Sequence, residues 1–307
     1  MIKVTDISNA RFRAPDLDKM EKYLTDFGMV KSASDNNSLY MRGTGPDFAV
    51  HITDLGEPGF VGMAFDAESK EDIQQLSEQT GKPVENRTEP GGGVRVRLND
   101  PNGFAIEVTH GVEQLAPLEA REIGKINTAL NKARENELLR LDAGPSKVRR
   151  LGHIAINVID YAESYSWYHA HLGLIKSDEI YIGDESALLG AFLRCDRGAI
   201  PSDHHTLFPV GTGSVGFNHA AWEVENFDDL MLGREVMIAK GYEPVWGIGR
   251  HVLGSQIFDY WKDPWGHKVE HWTDGDLLDA SIPPGLRPID ELTATQWGLP
   301  APPEMAE

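Results

Sequence analysis

"NDPNGFAIEVTHG", residues 99–111, and "KDPWGHKVEHWTDG", residues 262–275, repeat one phrase: Asp-Pro, a variable residue, Gly, three more residues, then Glu. Asp-Pro-x-Gly is a turn with a mechanism, because proline presets φ and glycine accepts φ > 0. Alternating runs flank each turn, as in a hairpin. The recurrence divides the chain into two comparable halves.

Matching helices lie upstream of each turn. In "PDLDKMEKYLTDFG" (15–28), Leu17, Met20, Leu24 and Phe27 share one face; "DYAESYSWYHAHLG" (160–173) opens with the capping-type pair Asp160 and Glu163. Gly28 and Gly173 follow them at positions suited to a left-handed helix stop. A second helical pattern recurs in each half, "SKEDIQQLSEQTGKP" (69–83) and "FDDLMLGREVMIAKGYEP" (227–244), and strand-like runs follow both. The expected class is α+β, with four β-α-β-β-β modules, two per half, forming cupped mixed sheets.

The reading divides the chain into an amino-terminal domain over 1–115, a linker over 116–147, a carboxy-terminal domain over 148–278 and a proline-rich tail over 279–307. The linker is charged and rich in helix formers, so a packed helix ending at a Gly-Pro stop is expected. The tail reads as an irregular arm, either mobile or wrapped on a neighbouring subunit of a homo-oligomer.

Three strands place polar groups on one side. In "LGHIAINV" (151–158), alternation separates His153, Ala155 and Asn157 from Ile154, Ile156 and Val158. In "GFNHAAWEV" (216–224), His219 shares the face of Ala221, opposite Ala220, Trp222 and Val224. A turn centred on Trp265 sets Tyr260 opposite Glu270 and sends His271 to the other face. Two imidazoles and one carboxylate from three strands match the facial set that holds Fe(II) with open positions, although His and Glu are also frequent on half-exposed strands. His51, His110, His169, His171, His267 and His271 read as ordinary solvated or hydrogen-bonded imidazoles.

Composition narrows the partners. The chain has 307 residues, 29 Lys+Arg against 48 Asp+Glu, and a formal net charge of -19. That balance, without a basic block, argues against nucleic acid and anionic membranes. With Cys195 the sole cysteine, no internal disulfide forms, and its expected state is a small buried hydrophobe. No apolar run approaches the roughly 20 residues of a membrane span, and "MIKVTDIS" lacks a signal-like pattern, so a cytoplasmic location is expected.

At these residues the chain resembles the type I extradiol ring-cleaving dioxygenases of the vicinal oxygen chelate superfamily. The resemblance covers roughly residues 1–280 and is sharpest over 148–275. It implies a metal site of His153, His219 and Glu270 holding Fe(II), or Mn(II), with a catecholic substrate and O2 as reactants. It further implies His205 of "SDHHTLF" facing the O2 side, with adjacent His204 as competitor, and His251 of "GRH" with Tyr260 handling the substrate oxygens. In the branch acting on carboxylated catechols an arginine stands five residues before the "GRH" histidine; here that position is Trp246. Trp246 and Trp167 are therefore expected to line an apolar pocket, with Asn157 beside them or orienting a ligand.

The amino-terminal half departs from the pattern, with Ser8, Asn9 and Ala10 at the counterpart of His153 and Gly62 at that of His219. Only Glu107 remains, so one metal per chain is expected. Two other readings stand beside ring cleavage: a glyoxalase-like isomerase using its metal as a Lewis acid, and a metal-free binding protein of the same fold.

Overall fold

The computed structural model describes residues 2–122 and 124–305. Apart from two short strands that pair with each other, strand, helix and three further strands succeed one another four times. The first half holds β1 (Val4–Ala14), α1 (Leu17–Phe27), β2 (Val30–Ser34), β3 (Ser38–Arg42) and β4 (His51–Leu55), then β5 (Gly59–Ala67), α2 (Lys70–Thr80), β6 (Val84–Asn86), β7 (Val94–Asn99) and β8 (Ala105–His110). The second half holds β9 (Val148–Val158), α3 (Tyr161–Leu172), β10 (Ile175–Tyr181), β11 (Leu188–Arg194), the short β12 (Ser202–Asp203) and β13 (Leu207–Gly211). It continues with β14 (Gly216–Val224), α4 (Phe227–Ala239), β15 (Pro244–His251), β16 (Ile257–Lys262), β17 (Lys268–Thr273) and the short β18 (Leu277–Leu278).

Local chemistry sets the helix limits. Asp16 accepts from the Lys19 amide at the start of α1, and Gly28 ends it at φ 115° with its amide on the Leu24 carbonyl. Met20, Tyr23, Leu24 and Phe27 are buried, and such residues contribute roughly 1.5–3 kcal/mol each. Asp160 caps α3 on the Glu163 amide, and Gly173 stops it at φ 72°.

In each half the modules join through their first strands, antiparallel β1 with β5 and β9 with β14. The first sheet runs β2-β3-β4-β1-β5-β8-β7-β6. Ile154, Ile156 and Val158 of β9 and Ala220, Trp222 and Val224 of β14 enter one core cluster with Leu172 of α3 and Met237 of α4. That cluster continues into the first half through Phe27, Met41 and Val50. The helices therefore cover one face of the second sheet, and the opposite face is left to the site.

The tail differs from the expected loose arm. It forms β19 (Gly285–Pro288), the short helix α5 (Ile289–Leu292) and β20 (Thr295–Gly298). β19 pairs parallel with β10 and β20 pairs antiparallel with β15, so the tail closes both edges of its own chain's second sheet. An unpaired strand edge presents a row of N–H and C=O groups, and the short tail strands between the prolines pair with them.

The linker is not a helix. Among the described residues of 116–147 none is helical, and Ile126, Leu130 and Leu138 are 73%, 101% and 80% exposed. Propensity alone leaves a short helix marginal in water, and these apolar side chains meet no neighbouring surface that would hold one. Arg121 anchors it, with Nε on Asp229 Oδ1 at 2.6 Å and Nη2 on the Pro145 carbonyl at 2.8 Å.

Candidate metal centre

β9, β14 and β17 are neighbours in the middle of the second sheet. Ala221 stands opposite both His153 and Glu270 in register, and His219 is two residues along β14 on the same face. The convergence thus follows from strand alternation across three adjacent strands. His153 Nε2 lies 3.3 Å from Glu270 Oε2 and 3.3 Å from His219 Nε2, and His219 Nε2 lies 3.6 Å from Glu270 Oε2. Donors bound side by side to one ion stand about 3 Å apart, close to these separations.

The donor set fits a cation. Both Glu270 carboxylate oxygens are buried with no well-formed hydrogen bond, the Tyr260 hydroxyl being directed near them, a costly state for a carboxylate unless a positive charge is supplied. Asn218 Oδ1 is 2.9 Å from His219 Nδ1, so the His219 Nδ1–H donates there and Nε2 is left bare. Burial and the neighbouring His153 hold the His219 imidazole well below its usual range, in the neutral form that ligates metals.

Around this cluster lies a cavity of about 200 Å³. His205, His251, Tyr260, Asn157 and Trp246 all line it. Tyr260 pairs with Glu270 in the β16–β17 register, as the turn predicts. Its hydroxyl lies 3.1 Å from His251 Nε2. Burial, with the Glu270 carboxylate beside it, raises the phenol well above its ordinary range, and burial pushes the His251 imidazole down to about 3. The pair is thus a phenol that keeps its proton and an imidazole that stays neutral. His205 packs against His153 with ring centroids 4.0 Å apart. It sits in the bend between β12 and β13 rather than within a strand.

Of the two adjacent histidines, His205 faces the cavity and His204 turns away from it, toward Asp178. Trp167 does not reach the cavity. It lies on α3, stacked on His171 at 4.6 Å and packed against the main core on the helix side of the sheet. The helix is aromatic on several faces, so sequence spacing did not say which ring turns where. Trp246 stands against Tyr260 at 5.7 Å, with its indole N–H on the Leu299 carbonyl at 2.9 Å.

Sequence reasoning missed the apolar wall. Phe192, Phe208, Leu253, Ile289, Leu292 and Met305 line it, and three of the six come from the tail. No arginine or lysine lines the cavity among the described residues. Asn218 was also missed, although its place directly before His219 was a usable signal.

The first half has no matching cluster among the described residues. Gly62 occupies the register position of His219, and a Cβ there would lie 1.8 Å from the Ala105 carbonyl oxygen. Glu107 is paired with Arg95, 3.2 Å away. Cys195 is buried, with its thiol pushed up by that burial.

Residues 150–271 match the family model described as the Glyoxalase/Bleomycin resistance protein/Dioxygenase superfamily. This stretch is a domain of that superfamily. It contains the whole donor set. The chain is similar to Metapyrocatechase 2 of Cupriavidus necator, 35% identical over 156 residues that cover 50% of this chain and 46% of that protein. The match thus spans under half of that relative's length. It is also similar to the Iron-dependent extradiol dioxygenase of Rhodococcus jostii (strain RHA1), 26% identical over 299 residues covering 91% of this chain and 92% of that one. The fold of the superfamily domain and its partner half is shared with the crystal structure of the Mn(II)-bound glyoxalase from Novosphingobium aromaticivorans, at TM-score 0.79 and 23% identity over 99% of this chain and 94% of that chain. No helix among the described residues is long and apolar enough to cross a membrane.

Proposed function

We propose that this chain is an extradiol dioxygenase that opens a catecholic ring with O2 at a single Fe(II) held by His153, His219 and Glu270. The observation that carries the reading is a buried Glu270 carboxylate with no well-formed hydrogen bond beside two imidazoles, opening onto a cavity that holds a further three acid–base side chains. Similarity to the proteins named Metapyrocatechase 2 and Iron-dependent extradiol dioxygenase supports it.

Three protein donors on one face leave room for both reactants, and Fe(II) would supply the electron route between a singlet catechol and triplet O2. The protein's own part is positioning and proton handling. Tyr260 and His251 would hold the substrate oxygens by hydrogen bonds, Tyr260 as donor because its phenol keeps its proton. His205 would hold or move a proton at the ring nitrogen facing the cavity, assistance commonly worth about 10²–10⁴ in rate. Asn157 and Trp246 would border the ring.

The substrate class follows from the wall. A cavity of about 150 Å³ lined by aliphatic and aromatic side chains is enough to bind benzene; here about 200 Å³ is offered. One ring with a short apolar substituent fits, and a carboxylate would find no cation to meet it. We read the substrate as a catechol carrying a short uncharged alkyl group.

The test is Fe(II) reconstitution without air, followed by mixing with 3-alkyl and carboxylated catechols in air. A yellow ring-opened product with one O2 consumed per product is expected. Metal-dependent turnover of a thiol adduct without O2 would instead favour the isomerase reading, and binding without turnover a binding protein.

A further inference from the structure

His205 does not stand alone behind the cavity. Its Nδ1 lies 3.1 Å from Nδ1 of His204, and His204 Nε2 lies 2.8 Å from Asp178 Oδ2. The other carboxylate oxygen, Asp178 Oδ1, accepts from Arg287 Nε at 3.2 Å. The chain of contacts runs from the cavity to a half-exposed guanidinium on the tail strand β19.

Each ring is held in place. Phe192 packs against both, at 5.2 Å from His204 and 4.7 Å from His205. A side-chain atom on Gly254 would sit 2.9 Å from His204 Nδ1, so the backbone closes directly over that nitrogen. Ser177 donates to the His204 carbonyl at 2.5 Å, and the His204 amide donates to Asp276 O at 2.9 Å.

Two nitrogens 3.1 Å apart cannot both carry hydrogen toward each other, and a neutral imidazole has one N–H and one bare nitrogen. The direction is set from the far end. A carboxylate only accepts, so in the neutral His204 ring Nε2 is the N–H and Nδ1 is bare. His205 must then donate from Nδ1, which leaves His205 Nε2 bare toward the cavity. Burial opposes the Asp178 charge, but the hydrogen bonds from His204 and Arg287, with the Arg287 charge, hold the carboxyl below its usual range.

We propose that Asp178, acting through His204, is a positioning residue that fixes His205 as the Nδ1–H tautomer, with a bare Nε2 facing the reactants. Neither Asp178 nor His204 touches the cavity. The consequence is directional: His205 enters the reaction able to take a proton from the cavity side, not to give one. The part of the proposal that concerns turnover rests on the ring-cleavage reading; the tautomer itself does not.

Asp178→Asn inverts the chain. Arg287 continues to claim an acceptor at the Oδ1 position, so the amide NH2 of the new side chain faces His204 and donates to its Nε2. His204 then donates from Nδ1, and His205 is driven to carry hydrogen on Nε2.

The experiment is long-range ¹H–¹⁵N spectroscopy of the metal-free protein labelled with ¹⁵N-histidine, with His204→Gln and His205→Asn used only to assign the two rings. His205 as Nδ1–H in the wild type and Nε2–H in Asp178→Asn is the expected pair of results. His205 as Nε2–H in the wild type overturns the proposal, whether or not the variant folds. An unchanged tautomer in folded Asp178→Asn overturns the role of Asp178. In turnover, Asp178→Asn should lower kcat about 10- to 100-fold with KM nearly unchanged and shift the acid limb of the pH profile, and Asp178→Glu should restore most of it. A protein that shows the tautomers but no ring cleavage would refute the proposed function and leave this inference standing.

Discussion

Asn218 Oδ1 and His219 Nδ1 lie 2.9 Å apart, and this contact between chain neighbours decides which nitrogen of His219 is available. Asn218→Ala removes the acceptor and frees the ring to rotate or change tautomer. Outer partners of this kind are commonly worth 10- to 100-fold in metal affinity. Competition with a chelator should show Fe(II) affinity reduced by about that factor, with the unfolding temperature of the metal-free protein almost unmoved.

Glu270→Gln should act differently on the two forms. Replacing a buried carboxylate that lacks a compensating cation by a neutral amide should leave the metal-free protein at least as stable as the parent. Metal-induced stabilisation, about 2.7 kcal/mol at a hundredfold excess over Kd, should disappear. Thermal scans with and without Fe(II) read both; a variant that still gains stability from Fe(II) would remove Glu270 from the donor set.

His205→Asn should keep the metal, because the ring lies beside the donors rather than among them. We expect kcat to fall about 10²–10⁴-fold, with anaerobic catechol binding close to that of the parent protein. Loss of iron in this variant would reassign His205.

Substituent length should be read by the apolar wall. Each buried methylene contributes about 0.8 kcal/mol, so KM across a series of 3-alkylcatechols should fall about fourfold per carbon until the cavity is full. Leu292→Ala, on the tail helix, should move that limit outward by a carbon or two. Carboxylated analogues should be poorer than alkyl ones of similar size by more than a hundredfold in kcat/KM.

Acid should destabilise the first half through His51. The ring stacks on Phe12 at 4.9 Å and meets Thr53 Oγ1 at 2.9 Å. Burial pushes it down to about 3, with the Asp263 carboxylate opposing and His267 adding to the effect. Above pH 6.5 it is neutral whether folded or unfolded. As pH falls from there the unfolded chain takes up a proton that the folded chain refuses, so stability is lost down to about pH 3, by up to about 5 kcal/mol. His51→Phe keeps the stacking and should flatten this slope in denaturant titrations, at a cost near 1 kcal/mol at neutral pH for the orphaned Thr53 hydroxyl.

Amino-acid order alone laid down the repeated module, the helix cap at Asp160, and the opposition of Tyr260 to Glu270. All three are local: a period of 3.6 or 2 and a turn of known shape place neighbours without reference to the rest of the fold. His153 and His219 were legible for the same reason, since alternation names the face of a strand. Tertiary structure alone decided the cavity wall and the ring behind it. Which strands lie side by side is not written in any local period, so the tail residues Ile289, Leu292 and Met305 and the Asp178 carboxylate could be matched to the site only once the sheet was assembled. The same limit explains the misplaced Trp167 and the linker over 116–147, whose propensity favours a helix that no neighbouring surface receives.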